Sequence, residues 1–284
     1  MQFSQINPYI RIARYLKLDA KSNFDEVVPL DARLFYCIEG YNKVKIKNVE
    51  YEMKPHSLLI INSGTPYHIL SPDKTVEYIA INFDYTQNAS AIRIPIIPVV
   101  TKKFKKDMLV DYNTFSDAEA LSNFLYIEKI GNIQKKLDSI IRECTQKLLF
   151  YESKSGHLLA DCITASIRIK EIGDTSQRDE SINQIISYIH NNYNENITNQ
   201  SIGKTFNYHP NYVSSLIKRI TGMPLHKYII HVRLMNSINL LENSVLPVSE
   251  IATTCGFCDT AYFSGYFKKY FGTSPSNYRK TAYL

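Results

Sequence analysis

The period of the apolar positions changes along this chain, and the changes divide it. From Arg33 to Asp84 the period is that of strands. Leu34 to Ile38 is an apolar run closed by Glu39-Gly40, and Lys43-Val44-Lys45-Ile46-Lys47 alternates strictly, so one face is buried and one wet. Asn48-Val49 is expected to turn that strand back into Tyr51-Glu52-Met53. Leu58 to Ile61, Tyr67 to Leu70 and Val76 to Phe83 continue the series, separated by turn-rich segments such as Asn62-Ser63-Gly64-Thr65-Pro66. Short strands at this spacing predict a small sandwich or barrel. Pro95, Pro98 and the basic run Lys102-Lys103-Phe104-Lys105-Lys106 mark the end of the sheet and a solvated loop.

From Ile133 the period becomes helical. Ile133, Leu137, Ile140, Ile141, Cys144 and Leu148 fall on one stripe, and Leu158, Leu159, Cys162, Ile163, Ile167 and Ile169 on another. With a break at Ser155-Gly156, the pattern predicts an antiparallel helical hairpin over residues 131–173, packed on the sheet domain of residues 1–130. Such hairpins often mediate self-association, so a homodimer is expected. Residues 174–180 are polar and aperiodic, and read as a linker.

Residues 181–284 repeat one scheme twice. Ile251-Ala252 starts a short helix that stops at Gly256, and Asp259 is placed to cap a second helix whose stripe is Phe263, Tyr266, Phe267 and Tyr270. Upstream, Thr198 caps a helix containing Ile202-Gly203, Asn207 takes the turn position, and Val213, Leu216, Ile217 and Ile220 form the matching stripe. Beyond each turn the offset between the copies grows by one residue. Two helix-turn-helix units therefore flank a continuous apolar stripe from Leu225 through Tyr228, Ile229, Val232, Met235 and Ile238 to Leu241, a helix of roughly 27 Å. Successive major-groove segments lie about 34 Å apart, so one monomer could address two of them.

Charge modifies this picture only slightly. The net +6 is uneven: residues 178–284 hold ten Lys/Arg against six Asp/Glu. Five scattered cysteines do not form a disulfide framework, no run of about 18 apolar residues predicts a membrane span, and the start shows no secretory pattern. A cytoplasmic protein is expected. Cys255-Gly-Phe-Cys258 has redox or zinc spacing, but no second Cys/His pair stands at a matching distance. Its Gly-Phe belongs to the turn pattern, and no metal or cofactor is expected.

The strand runs Leu34–Gly40, Tyr51–Ile61 and Gly64-Thr65-Pro66-Tyr67-His68 resemble a cupin-type jelly roll, although the chain lacks the His-x-His of metal-bearing cupins near Gly40. The combination Ile-Ala-x3-Gly-Phe, Tyr-Phe-Ser, Phe-Lys-Lys-x-Phe-Gly and Ser-Pro-x2-Tyr-Arg, within residues 181–279, is strongly similar to the DNA-binding domain of AraC/XylS bacterial transcription regulators. The resemblance implies an α+β multidomain protein with an N-terminal cupin-like β-barrel and a C-terminal all-α domain. It further implies effector sensing in the barrel, promoter binding by the double helix-turn-helix, activation of carbohydrate or other metabolic genes, and RNA polymerase as a further partner. A metal-dependent cupin enzyme with an appended DNA-binding domain, and a constitutive DNA binder with a structural barrel, are the alternatives.

On the first recognition helix Pro210, Asn211, Ser214, Ser215, Lys218 and Arg219 lie off the stripe. Asn211 suits bidentate pairing with adenine, whereas Lys218 and Arg219 suit phosphates. Thr260, Ala261, Ser264, Lys268 and Lys269, with Gly265, take the corresponding places on the second. Ser215 and Gly265 stand where AraC-type regulators often carry a long Arg or Gln, so the second unit is expected to contact mostly the DNA backbone. Arg33, Tyr36, Tyr67, His68 and Tyr78 are the candidates for lining an effector pocket, with chemistry that suits a sugar or a carboxylate.

Overall fold

Ten residues near the N-terminus, Tyr9–Leu18, form strand β1, which precedes the series expected from Arg33 onward. Two arginines and a lysine interrupt its apolar positions, and it lies at the edge of a sheet, so its pattern is fainter than those of the strands inside. The computed structural model describes residues 1–20, 22, 24–92, 96–110, 112–131, 133–172 and 178–282. Its backbone divides into two units, Met1–Thr175 and Ser176–Leu284.

In the first unit, β2 (Val27–Val28), β3 (Ala32–Glu39), β4 (Asn42–Ile46), β5 (Val49–Met53), β6 (Leu58–Ile61), β7 (His68–Ile69), β8 (Val76–Asp84), β9 (Val99–Val100) and β10 (Phe124–Ile127) follow β1. They form antiparallel sheets ordered β1-β8-β3-β6-β10, β5-β4-β7 and β2-β9. The β4–β5 turn is Lys47-Asn48, with φ of 50° and 67°, one residue earlier than expected; two left-handed residues match the twist of a tight hairpin.

Alternation along β3 sorts the core. Leu34 and Tyr36 join Leu58, Ile60, Ile79, Ile81 and Phe83 on the face that the helices cover. Phe35 and Cys37 join Val44, Ile46, Met53, Tyr67 and Tyr78 between the sheets. Leu58 to Ile61 are all fully buried, because this part of the sheet is covered on both faces, which is why that strand reads as an unbroken apolar run. The unit is β-rich as expected, but among the described residues the sheets do not close into a barrel. Two-residue strands such as β2, β7 and β9 cannot carry a continuous ladder around it.

Helices α1 (Gln134–Gln146) and α2 (Tyr151–Ile172) make the hairpin. Two expectations are corrected. Leu148 is exposed, since the chain leaves the helix at Lys147, whose φ is 50°. Ser155-Gly156 does not break the hairpin: both residues are buried within α2, and the break lies at 147–150, where Phe150 is also left-handed (φ 64°). Gly156 has a packing role instead, since a Cβ there would lie 2.6 Å from the Pro8 carbonyl oxygen.

The second unit is helical: α3 (Arg178–Asn191), α4 (Asn199–Phe206), α5 (Pro210–Thr221), α6 (Leu225–Asn243), α7 (Val248–Thr254), α8 (Thr260–Phe271) and α9 (Pro275–Ala282). Of the stretch read as a linker, 174–177 lies outside the described residues, and 178–180 already belongs to α3. No helix among the described residues is long and apolar enough to cross a membrane.

Candidate nucleic-acid interface

The two helix-turn-helix units close their turns with the same hydrogen bond. Tyr208 N–H donates to the Gly203 carbonyl at 2.8 Å, and Phe257 N–H to the Ala252 carbonyl at 2.9 Å. The pivots are left-handed, Asn207 at φ 57° and Gly256 at φ 83°. The extra residue of the second copy falls just after this bond, between Phe257 and α8. It changes how the recognition helices begin. Asp259 caps α8 by accepting from Tyr262 N–H at 2.6 Å, while in the first unit the His209 ring accepts from Asn211 N–H at 3.3 Å and Pro210 occupies the first turn. The Asp259 carboxyl is held below the ordinary carboxylate range by that backbone bond and by the Cys258 thiol. Thr198 caps α4 in a reciprocal box with Ser201. Both recognition helices end on left-handed glycines, Gly222 and Gly272.

The inner faces follow the expected stripes at their centres. Val213, Leu216 and Ile217 are buried on α5, and Phe263 and Phe267 on α8. The ends of the α8 stripe differ: Tyr266 is half-buried, and Tyr270 is 50% exposed with its hydroxyl 2.7 Å from His231 Nδ1. A tyrosine at the edge of a stripe can keep its ring on the core and its hydroxyl in a polar network.

The connecting helix α6 is more buried than a single stripe implies. Leu225, Ile229 and Val232 are buried on the face read from the sequence. Ile230 and Leu234 form a further apolar face, packed with Leu241 of the expected stripe and with Ile251, Cys255, Phe257, Phe263 and Phe267 of the second helix-turn-helix. Arg233 on α6 donates to the carbonyls of Tyr193 (2.7 Å) and Glu195 (2.8 Å), tying the loop after α3 to the same helix.

The residues expected to face DNA lie off these cores. Asn211, Ser215, Lys218 and Arg219 are exposed on α5, and Pro210 and Ser214 half-exposed. Ala261, Gly265, Lys268 and Lys269 are exposed on α8, with Thr260 and Ser264 half-exposed. A Cβ on Gly265 would meet nothing within 4 Å, so packing inside the domain does not require glycine there. Of the cysteine pair, Cys255 is buried in the core and burial pushes its thiol up to about 11, while Cys258 is exposed beside Asp259.

The first unit holds a cavity of about 240 Å³, and it gathers two of the five expected effector residues. Arg33 and Tyr67 line it, with Arg14, Asp25 and Asn82. Arg33 donates to Asp31 Oδ1 (3.1 Å), the Tyr67 hydroxyl (3.1 Å) and the Ile96 carbonyl (3.0 Å). Burial opposes the Arg33 charge, but Tyr67 and Asp31 outweigh it and raise its pKa; burial raises that of Asp31 against the pull of Arg33. Tyr36, His68 and Tyr78 do not line the cavity. Tyr36 points to the opposite face of the sheet, by the alternation of β3, and its hydroxyl lies 2.8 Å from His56 Nδ1. Tyr78 lies in the inter-sheet core with its hydroxyl committed to Asn42, and His68 stands on β7 opposite Lys45. Arg14 went unidentified because β1 did. Among the described residues no group of three His, Cys, Asp or Glu side chains is placed to hold a metal ion.

A helix-turn-helix domain family matches residues 202–281. The Msm operon regulatory protein of Streptococcus mutans serotype c is 37% identical over 99 residues, 35% of this chain and 36% of that protein. The uncharacterized HTH-type transcriptional regulator YijO of Escherichia coli K12 is 35% identical over 107 residues, 37% of this chain and 38% of that one. A solved structure of a transcriptional regulator from Chromobacterium violaceum, described as having an AraC-type DNA-binding domain, is 20% identical. It covers 38% of this chain and 96% of that one, with a TM-score of 0.36. The chain thus spans little more than a third of the length of these curated relatives.

Proposed function

We propose, from a chain whose residues 202–281 form an AraC-type helix-turn-helix domain, that this protein binds double-stranded DNA sequence-specifically and regulates transcription under a small-molecule effector. One observation carries the DNA part. Two helix-turn-helix units that close their turns with the same hydrogen bond lie on either side of α6 in the sequence, and each presents a recognition helix with an exposed polar and basic face. Base reading falls mainly to α5, where Asn211 and Ser215 offer hydrogen-bonding side chains. Lys218, Arg219, Lys268 and Lys269 hold phosphates.

The effector part rests on the cavity in the β-rich first unit. Self-association rests on the hairpin: its outer face is largely polar, but Leu148, Leu149 and Phe150 at its turn are 60%, 84% and 76% exposed. Activation of carbohydrate or other metabolic genes completes the reading. Selection of bound sequences from a random DNA pool, with and without candidate metabolites, tests it. An enriched motif with two half-elements about one helical turn apart is the expected result. Recovery of unselected DNA at every salt concentration would overturn it.

A further inference from the structure

The cavity of the first unit has a floor built from one row across three strands. β1 pairs with β8 so that Arg14 stands opposite Ala80, and β8 pairs with β3 so that Ala80 stands opposite Phe35. Arg14 and Phe35 are thus separated by two strand spacings, roughly 9.6 Å, with only a methyl group between them. In the neighbouring row Asn82 stands opposite Arg33. The hollow over Ala80 therefore has Arg14 on one flank, Phe35 on the other, and the Arg33–Tyr67 pair beside it. Leu16 and Ile69 add apolar wall.

The two arginines differ in their commitments. Arg33 is buried and already bound to a carboxylate, a hydroxyl and a carbonyl. Arg14 is exposed, and no carboxylate of the described residues lies within ion-pair distance of it. Its charge is near enough to Tyr67 to oppose, in part, the upward push of burial on that hydroxyl. Asp31 is occupied on both oxygens, by Arg33 and by Asn82. Asp25 is the one carboxylate among the described lining residues and is exposed, so a ligand that complements Arg14 sets its acceptors on the guanidinium and keeps them away from Asp25.

We propose that the cavity binds a small organic carboxylate with a compact apolar body, its carboxylate on the Arg14 guanidinium and its body over Ala80 against Phe35. The fork of a guanidinium matches a carboxylate with two parallel bonds, which a sugar hydroxyl does not offer. This deepens the effector reading above and rests on it.

Calorimetric titration of the full chain with benzoate, hexanoate, benzamide and glucose tests the assignment. The expected result is one-site binding of benzoate or hexanoate, with benzamide and glucose at least tenfold weaker. Arg14→Gln should weaken the carboxylate by roughly 10- to 100-fold, the range for losing a charge-assisted hydrogen bond, and Arg14→Lys by less. Because Arg14 is exposed, the unliganded melting temperature of either variant should match the parent, which separates lost binding from lost folding. Benzamide or glucose binding as tightly as the carboxylates, and abolished by Ala80→Leu, would overturn the ligand class while leaving an effector cavity. Binding of no probe, or binding that Ala80→Leu and Arg14→Gln both leave unchanged, would overturn the site as well.

Discussion

Gly256 passes so close to Asn194 that a Cβ built on the glycine would lie 2.5 Å from the Asn194 carbonyl oxygen. The turn of the second helix-turn-helix is thus seated on the loop that follows α3, the loop Arg233 also holds. With φ at 83° the position is strained for any side chain as well as crowded. Gly256→Ala should destabilise the helical unit by about 2–4 kcal/mol, from the left-handed cost plus the backbone clash. Gly265→Ala is the control: its Cβ meets open space, so the change should be neutral or stabilising by up to about 1 kcal/mol. Urea unfolding followed by helical circular dichroism distinguishes the two. Equal effects would sink the argument.

The interface separates reading from holding. Asn211→Ala should weaken binding to the selected site by about 1–3 kcal/mol and relax preference at one base pair. Lys218→Ala or Lys268→Ala should weaken all sequences alike and lower the salt slope by about 1 each. Electrophoretic mobility shifts across a salt series, on the selected site and on a scrambled one, supply both numbers. A uniform loss for Asn211→Ala would reassign it to a phosphate.

The cysteine spacing has a chemical consequence. Cys258 is exposed, whereas burial raises the thiols of Cys255 to about 11 and of Cys37 and Cys162 to about 12. In the folded chain at neutral pH a thiol-specific disulfide reagent should therefore modify Cys258 first and leave these three until denaturant is added. Mass spectrometry of the labelled peptides reads the order, and early labelling of Cys255 would show that the second turn opens.

The periodic parts of the fold were legible and the relational parts were not. Residues such as Val213, Phe263 and Ile140 declare themselves because a helix repeats its environment every turn, and the two turns share a hydrogen bond that their sequences share as a pattern. The floor of the cavity could not be read this way. It depends on β1, an edge strand whose apolar positions are interrupted by arginines, and on a register that sets Ala80 between Arg14 and Phe35. Tyr36 and Tyr78 illustrate the same limit. Composition made them polar aromatics of a strand, but only the side of the sheet that Tyr36 faces, and the partner Asn42 that holds the Tyr78 hydroxyl, decided that neither lines the cavity. Gly156 looked like a breaker because glycine often is one, and it was close packing against Pro8 that required it.

Asp259 links the second recognition helix to pH. Its carboxyl is lowered in the folded state, first by the Tyr262 amide, so its contribution is fully present above the unfolded value of about 3.9 and is lost as pH falls through the folded one. Asp259→Asn keeps a capping oxygen but removes the titration. The difference in urea midpoint between parent and variant should be constant above about pH 5 and shrink as pH drops below about 4. A difference that grows on acidification would mean that the carboxylate does not hold the cap.

The Asp31–Arg33 pair on the cavity wall gives the sharpest energetic test. Asp31 is fully buried, with Arg33 Nε on one oxygen and Asn82 Nδ2 on the other. Burial alone disfavours the carboxylate, so its charge depends on the guanidinium. Arg33→Met removes that partner and should cost about 3–5 kcal/mol, because a buried charge is left uncompensated. Asp31→Leu combined with Arg33→Met removes both charges and should cost less than Arg33→Met alone, even though Asn82 then loses its acceptor at about 1–3 kcal/mol. Hydrogen exchange at the β3 amides, which reports opening of the sheet, measures each variant in the full chain. If the double variant proves less stable than Arg33→Met alone, the pair is a source of net stability in its own right and the compensation argument fails.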